Sequence, residues 1–253
     1  MISHKTLGEN SSKAIQQAYN HEDYIWRRKS LRFLLEHIGF PLLAKFDHAE
    51  GLEHVPAEGP ALIMINHIAF IDPLTVVISL KRNIVPLAKK EVYDYPLIGI
   101  FPKIWGVVPV SRGEVDRQAI RKVLNILDAG EIVLVAPEGT RGPQLKAAKE
   151  GIAYLASRSG APVIPTAIEG TEPFPALRFT PAWKTSGAVV RFGAPFRYRE
   201  AYRRAGREDL HKMTNEAMYV LAAMLPAQRR GCYANLENAT QDTIEWLNPS
   251  QEK

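Results

Sequence analysis

Residues 61–73 read Ala-Leu-Ile-Met-Ile-Asn-His-Ile-Ala-Phe-Ile-Asp-Pro. The first five are apolar and follow a Gly-Pro pair, which is the pattern of a buried strand in a parallel sheet. Asp72 followed by Pro73 indicates a helix start, with Asp72 as the N-cap and proline in the first helical position. The stretch therefore predicts a strand, a turn and a helix, with His67 and Asp72 in the turn.

The pair His67 and Asp72 suits a turn, because side chains five residues apart on an ideal helix point about 140° away from each other. In a turn the carboxylate reaches the imidazole, fixes its tautomer and stabilises its protonated form, which makes a general base. The same two residues fit a structural turn, in which Asp72 caps the helix and His67 bonds the loop backbone. The spacing alone leaves both interpretations open.

One inference about the site depends only on where the strands end. His67, Arg112 and the segment 138–141 each come just after a predicted strand. The carboxyl ends of parallel strands share one edge of the sheet, and ligands bind there. Two guanidinium groups at that edge indicate an anionic ligand, because arginine pairs bidentately with phosphate.

Three further segments accompany the Asn-His-x4-Asp stretch: Val107–Arg112 (Val-Val-Pro-Val-Ser-Arg), Ala136–Arg141 (Ala-Pro-Glu-Gly-Thr-Arg) and Val163–Pro165 (Val-Ile-Pro). In this order they resemble the glycerolipid acyltransferase family, typified by the 1-acylglycerol-3-phosphate acyltransferases (PlsC-like, HX4D acyltransferases). The resemblance covers roughly residues 50–195. The combination of Pro-Glu-Gly-Thr-Arg with Asn-His-x4-Asp is highly specific.

The resemblance implies a role for each motif residue. His67 and Asp72 are the implied catalytic pair, and His67 removes a proton from the acceptor hydroxyl. The implied substrate-binding residues are Asn66, Arg112, Glu138, Gly139, Thr140, Arg141 and Lys149. Lys149 lies in a Lys-x-Gly segment like that of similar enzymes, and a solvated helix lysine explains it equally well. The chain departs from the common pattern at Ala69, Ala136 and Gly142, none of which removes a base or an arginine.

The implied reaction moves a fatty acyl group from acyl-CoA or acyl carrier protein to the free hydroxyl of 1-acylglycerol-3-phosphate, giving phosphatidic acid in phospholipid biosynthesis. Two alternatives stay open: the same chemistry on glycerol-3-phosphate or another lysophospholipid, and a lipid-binding protein without turnover. The sequence has no G-x-S-x-G elbow, no P-loop and no metal-ligand spacing, so we expect neither cofactor nor metal. Its single cysteine, Cys232, lies far in sequence from every motif, which favours direct transfer over an acyl-enzyme.

Charge and hydropathy indicate where such a protein works. The net charge of +5 favours anionic partners, here a phosphorylated acceptor, an acidic acyl donor and an anionic membrane surface, and we expect no nucleic-acid partner. The sequence has no apolar run of 18 residues, and residues 1–20 lack a signal-peptide core. We therefore expect a peripheral, monotopic protein on the cytoplasmic face of the membrane.

The alternation of strands and helices predicts an α/β fold with a mostly parallel central sheet flanked by helices, and an N-terminal helical segment that associates with membranes. We divide the chain into an N-terminal amphipathic helical segment (1–48), an α/β domain (49–200) and C-terminal helices packed on it (201–253). The strands are predicted at 83–88, 105–110, 131–136, 162–168 and 187–192, with the last at an edge. The helices are predicted at 116–129 and 145–159. Residues 171–186 form a predicted loop, a lid or a wall, and two or three helices follow residue 200.

The N-terminal helix, predicted over residues 21–46, carries two apolar stripes. The proposed core stripe is Leu31, Leu34, Leu35, Ile38 and Leu42, and the opposite stripe is Trp26, Phe33 and Phe40. Basic residues crowd the same segment: Arg27, Arg28, Lys29 and Arg32. Either the helix is buried between two elements, or it lies in a membrane interface with its aromatic residues in lipid and its basic residues at the head groups.

Overall fold

The computed structural model describes residues 20–96, 98–111, 115–185 and 187–247. Arg112, residues 1–19 of the predicted N-terminal segment and residues 248–253 of the predicted C-terminal segment lie outside the described residues.

Within this range the chain alternates strands and helices. The strands are β1 (Phe46–Glu50), β2 (Ala61–Ile65), β3 (Ile84–Lys89), β4 (Val108–Val110), β5 (Ile132–Val135), β6 (Val163–Glu169), β7 (Ala188–Phe192), β8 (Phe196–Tyr198) and β9 (Ile244–Trp246). The α-helices are α1 (Ile25–Leu34), α2 (Phe40–Leu43), α3 (Asp72–Ser79), α4 (Ile100–Trp105), α5 (Arg117–Asp128), α6 (Gly151–Ser159), α7 (Pro181–Thr185) and α8 (Arg207–Ala223).

The sheet order is β1-β7-β6-β2-β5-β3-β4. The five strands from β6 to β4 run parallel to one another, β7 is antiparallel to β6, and β1 is parallel to β7. The strand β8 continues from β7 against the start of β6, and β9 pairs with β8. The predicted α/β fold with a mostly parallel sheet is confirmed.

The central strand β2 is buried over its whole length because helices cover both faces of the sheet. Leu62 and Met64 pack into the cluster formed with α5, α6 and α8. Ile63 and Ile65 face the other way, into the cluster that contains residues of α3 and Trp105 of α4. This double burial is why the strand is a continuous apolar run with no polar alternation.

Most of the predicted sheet was correct. The strands predicted at 83–88, 131–136, 162–168 and 187–192 and the helix predicted at 116–129 are found to within one residue at each end. Three expectations were wrong. Trp105 ends α4, and the strand begins only at Val108; β1 was missed; and β7 lies inside the sheet, between β1 and β6.

The helix predicted at 145–159 begins only at Gly151. Two backbone groups of the preceding residues bond other parts of the chain: the N–H of Lys149 donates to Pro137 O (2.9 Å), and the carbonyl of Leu145 accepts from the N–H of Cys232 (3.3 Å). A helix that began at Leu145 would have to pair this N–H with this carbonyl, and so would lose both hydrogen bonds. The predicted C-terminal helices also need correction, because residues 201–247, the described part of that segment, contain one long helix, α8, short 3-10 turns and the strand β9.

The predicted N-terminal helix exists, but its faces differ from the prediction. A π-helical turn at Leu35–Gly39 separates α1 from α2 and shifts the phase of the apolar pattern. Phe40, expected to face lipid, is buried, whereas three residues of the expected core stripe are exposed, namely Leu34, Ile38 and Leu42. Trp26 (75% exposed) and Phe33 face outward as the interfacial interpretation requires.

Two of the four basic residues on α1 point into the protein. Arg28 is buried, and its Nε donates to the carbonyl of Trp105 (2.9 Å). Arg32 Nη1 donates to the carbonyls of Val77 (2.5 Å) and Leu80 (2.6 Å), which lie at the end of α3 and have no partner inside that helix. Arg28 and Arg32 therefore fix α1 to the domain, and only Arg27 and Lys29 remain exposed for head groups.

Candidate active site

The turn after β2 folds Asp72 back onto His67. Nδ1 of His67 lies 2.9 Å from Oδ2 of Asp72, the carboxylate is fully buried, and the imidazole side chain is 19% exposed. Oδ2 also accepts hydrogen bonds from the backbone N–H groups of Ile68 (2.6 Å) and Ala69 (2.9 Å). Asp72 is the first residue of α3, and Ile71 occupies the N-cap position predicted for Asp72. The Asp72 carboxylate thus organises the turn before the helix.

This geometry fixes the chemistry of the imidazole. A carboxylate only accepts hydrogen bonds, so the ring proton of neutral His67 sits on Nδ1. Nε2 then carries the free lone pair, on the opposite side of the ring from Asp72. A ring held in this way can accept a proton at Nε2 and share the resulting charge with Asp72.

Sequence reasoning missed a fourth donor to Asp72. The buried hydroxyl of Thr171 donates to Oδ1 at 2.6 Å. Thr171 follows the carboxyl end of β6, the edge that the sequence already marked for ligands. The rule that ligand-binding residues follow the carboxyl ends of parallel strands identified His67 and the charged segments. Applied to neutral polar residues as well, the same rule identifies Thr171.

Glu138 binds the backbone around His67. Its Oε1 accepts from the N–H of His67 (3.3 Å) and its Oε2 from the N–H of Lys146 (2.8 Å). Burial raises the pKa of Glu138, and these two hydrogen bonds oppose the rise. The N–H of Gly142 donates to His67 O (2.8 Å), so the segment 138–142 holds the backbone of His67 on both sides.

Asn66 joins β2 to β6. Its Nδ2 donates to the carbonyl of Ile168 (2.9 Å), and its Oδ1 accepts from the N–H of the same residue (2.7 Å). These bonds extend the parallel pairing by one step beyond the last residue of β2. They occupy both polar atoms of a side chain for which the family resemblance implied a substrate contact.

Gly139 and Lys149 lie against each other. Gly139 has a φ of +63°, which glycine adopts without strain. The Lys149 side chain lies over it, with Cε 3.6 Å from the position of an added Cβ. Lys149 precedes α6, so the helix-lysine alternative is wrong. Its exposed ammonium group stands beside the 138–141 turn.

Arg141 reaches the His67–Asp72 turn through an aromatic ring. Its guanidinium carbon lies 6.0 Å from the centroid of Phe70, a cation–π distance. Phe70 in turn stacks on Phe174 of the 170–187 loop at 6.3 Å. Arg141 and Thr140 are both exposed and carry no buried structural role. The Ala136–Arg141 segment thus contributes an accessible cation over Phe70 of the His67–Asp72 turn.

Comparison with known proteins identifies the part of the chain that carries these residues. Residues 48–169 match the family model described as Acyltransferase. The chain contains an acyltransferase domain. The resemblance predicted from the motifs is thereby confirmed, and its four segments lie within or at the border of the matched residues.

The relatives of this acyltransferase domain include the 1-acyl-sn-glycerol-3-phosphate acyltransferase LPAT1, chloroplastic, of Arabidopsis thaliana, 32% identical over 127 residues (48% of this chain, 35% of that protein). The 1-acyl-sn-glycerol-3-phosphate acyltransferase of Bacillus subtilis is 32% identical over 119 residues (47% of this chain, 60% of that protein). These matches span 35% and 60% of the two relatives' length, less than two thirds in each case. The crystal structure of the 1-acyl-sn-glycerophosphate acyltransferase PlsC from Thermotoga maritima has the same fold, with a TM-score of 0.57 and 20% identity over 83% of both chains.

The carboxyl end of β4 supplies another part of the acyltransferase domain's edge. The carboxylate of Asp116 accepts from the N–H groups of Ser111 (2.9 Å) and Ala119 (3.0 Å). With Lys90 at 3.5 Å, these donors lower the pKa of Asp116 to about 2. Because Ser111 is held in this way, the backbone is fixed directly before Arg112, which itself lies outside the described residues.

Residues 227–233, which we call the C-terminal buttress, support the loop that follows the Ala136–Arg141 segment. Arg229 accepts at its carbonyl from the N–H of Leu145 (2.8 Å), and its Nη1 donates to Pro143 O (2.9 Å). Its guanidinium also forms an ion pair with Glu172, the neighbour of Thr171. One arginine therefore connects the loop after Arg141 to the loop that carries the donor to Asp72.

Proposed function

We propose that this protein is an O-acyltransferase that transfers a fatty acyl group from an acyl thioester to the free hydroxyl of 1-acylglycerol-3-phosphate, giving phosphatidic acid. The observation that carries the proposal is the His67–Asp72 pair: a half-buried imidazole whose Nδ1 faces a carboxylate held by three further donors. It lies in an acyltransferase domain whose relatives are named for this reaction.

His67 is the general base of the proposed reaction. Nε2 takes the proton of the acceptor hydroxyl as the oxygen attacks the thioester carbonyl carbon. The tetrahedral intermediate then expels the thiolate, and the imidazolium returns the proton to the sulfur. Asp72 stabilises the imidazolium through Nδ1. General acid–base catalysis of this kind contributes about 10²–10⁴-fold to rate.

Cationic groups at the same edge hold the acceptor phosphate. Arg141 is exposed with its guanidinium over Phe70 of the His67–Asp72 turn, and Lys149 lies against the 138–141 turn. Arg112 completes the set in our proposal, together with Thr140 and the backbone at Gly139. For Asn66 and Glu138, whose polar atoms bind backbone groups, the geometry supports a positioning role, and a direct substrate contact stays a prediction.

The protein is proposed to work at the cytoplasmic face of a membrane, as a peripheral protein whose residues 1–48 form the anchor. In the described residues, no helix has both the length and the hydropathy needed to cross a bilayer. The exposed apolar residues of α1 and α2 support an interfacial position. Replacing Trp26 and Phe33 by serine tests the anchor better than a deletion, which would also remove the buried Arg28. Unchanged liposome binding by this variant would contradict the anchor.

Thiol release from palmitoyl-CoA in the presence of 1-acylglycerol-3-phosphate tests the reaction. We expect release that requires the acceptor and that falls by about 10²–10⁴-fold in His67→Ala. Acyl carrier protein loaded with the same chain replaces palmitoyl-CoA in a second assay to identify the donor. Absence of release with both donors and a panel of acceptors would contradict the function. Turnover close to the wild-type rate in His67→Ala would contradict the mechanism.

A further inference from the structure

The loop between β6 and β7 has an apolar tip. Phe179 is 95% exposed and Leu177 is 48% exposed, with the exposed Arg178 between them. A single exposed phenylalanine is ordinary on a protein surface. This tip needs a further explanation because it is continuous with a second exposed apolar element.

That second element is the end of the N-terminal helix. The N–H of Ala176 donates to Leu43 O (2.7 Å), and the N–H of Arg178 donates to Leu42 O (3.3 Å). Leu42 and Leu43 are themselves exposed. The loop is therefore joined by backbone hydrogen bonds to α2, and four large apolar side chains form one surface, the tip surface: Leu42, Leu43, Leu177 and Phe179.

The charges around the tip surface suit an anionic bilayer. Arg178 and Lys184 are exposed on the same loop. Glu172 is the only acidic residue in the sequence of residues 170–187, and it pairs with Arg229. Large apolar side chains with a cationic border are the pattern of a segment that enters a head-group layer.

The base of the loop is attached to the catalytic turn. Thr171 donates to Asp72, and Phe174 stacks on Phe70. The tip is thus eight residues along the chain from the donor to Asp72 and sits on the edge of the sheet where His67 lies. A lysophospholipid acceptor has its acyl chain in the bilayer, so the site must come close to the membrane surface.

We propose that residues 172–180 form a second membrane contact, beside the N-terminal helix, in which Leu177 and Phe179 enter the head-group region of an anionic bilayer. The contact brings the edge that carries His67 to the membrane surface. The reason for such a contact rests on the proposed function, but its existence does not, because vesicle binding is measured without turnover.

The test uses the full chain and its Leu177→Ser/Phe179→Ser double variant. Co-sedimentation is measured without substrate, on phosphatidylcholine vesicles containing about 30 mol % phosphatidylglycerol. Burial of one phenylalanine and one leucine predicts a partition coefficient about tenfold or more lower for the variant. Both side chains are exposed, so the thermal melting of the variant should match that of the wild type.

Leu52→Ser is the matched control. Leu52 is 46% exposed, a fraction similar to the 48% of Leu177, and it follows β1. Because β1 is parallel to β7 and β7 is antiparallel to β6, β1 ends at the sheet edge opposite His67. The control should bind vesicles like the wild type.

Three results would overturn the proposal: a double variant within about twofold of the wild-type partition coefficient, an equal loss in the Leu52 control, or normal vesicle binding with turnover lost only for a carrier-protein donor. The last result would assign the tip surface to that acidic protein. If the double variant loses binding while the wild type shows no acyl transfer, the membrane contact stands and the proposed function fails.

Discussion

Thr171→Val isolates one hydrogen bond to the carboxylate of Asp72, which we propose to act in catalysis. Valine has nearly the shape of threonine, so the change removes the 2.6 Å donor to Oδ1 of Asp72 without opening a cavity. A hydrogen bond to a buried charge stabilises the fold by about 1.5–3 kcal/mol. For a chain of this size that corresponds to a melting temperature lower by about 3–12 °C.

The same free energy limits the effect on rate. If the whole bond were lost only in the transition state, kcat would fall by about 10- to 150-fold, since each 1.36 kcal/mol is a factor of ten. We expect a loss of about tenfold in thiol release at saturating acceptor, with the KM for the acceptor unchanged, because Thr171 touches Asp72 and not the phosphate site.

Thr171→Ser is the matched control, because it keeps the hydroxyl and removes the methyl group. We expect its kcat to stay close to that of the wild type. Equal losses of kcat in the serine and valine variants would refute the reasoning, since the hydroxyl would then not matter. A valine variant with wild-type melting and kcat would refute it as well.

Four further outcomes are expected. His67→Ala lowers kcat by about 10²–10⁴-fold and leaves the fold intact by circular dichroism; a smaller loss would mean another base. Arg141→Ala raises the KM for an acceptor with a terminal phosphate far more than for a neutral lysolipid, and equal effects would exclude phosphate binding. The pKa of Glu138 is raised by burial, so its contribution to the free energy of unfolding falls as the pH rises above 4.5, the usual pKa of a glutamate. The stability of Glu138→Gln relative to wild type, from urea unfolding, should therefore improve between about pH 4.5 and 7. Arg229→Ala should lower the unfolding free energy by about 1.5–3 kcal/mol and should also lower kcat. An unchanged kcat would mean that the buttress does not influence the site.

Local patterns explain what the sequence predicted. The strand β2 and the His67–Asp72 turn are specified within thirteen consecutive residues, 61–73, by an apolar run, a turn and an Asp-Pro pair. The meeting of His67 with the 138–141 segment followed from the rule that parallel strands end at one edge. Both inferences needed only short-range patterns and the direction of the strands.

What the sequence did not predict depends on contacts between distant residues. Thr171 lies 99 residues from Asp72, and Arg229 lies 86 from Pro143. The inward orientation of Arg32 arises because α3 ends with free carbonyls, which no periodicity in α1 reveals. In the same way, residues 145–150 stay outside a helix because the N–H of Lys149 and the carbonyl of Leu145, which a helix would pair with each other, bind Pro137 and Cys232 instead.

The C-terminal buttress has a consequence for biosynthesis. The Ala136–Arg141 segment leaves the ribosome long before residues 227–233. Arg229 lies 86 residues after Pro143, whose carbonyl it contacts, and Cys232 lies 87 residues after Leu145, whose carbonyl it contacts. A nascent or prematurely terminated chain that stops before residue 227 contains every motif residue, yet lacks the groups that hold the loop after Arg141. Assembly of the site is therefore delayed until residues 227–233 have been synthesised, which separates translation of the motifs from the onset of their proposed chemistry.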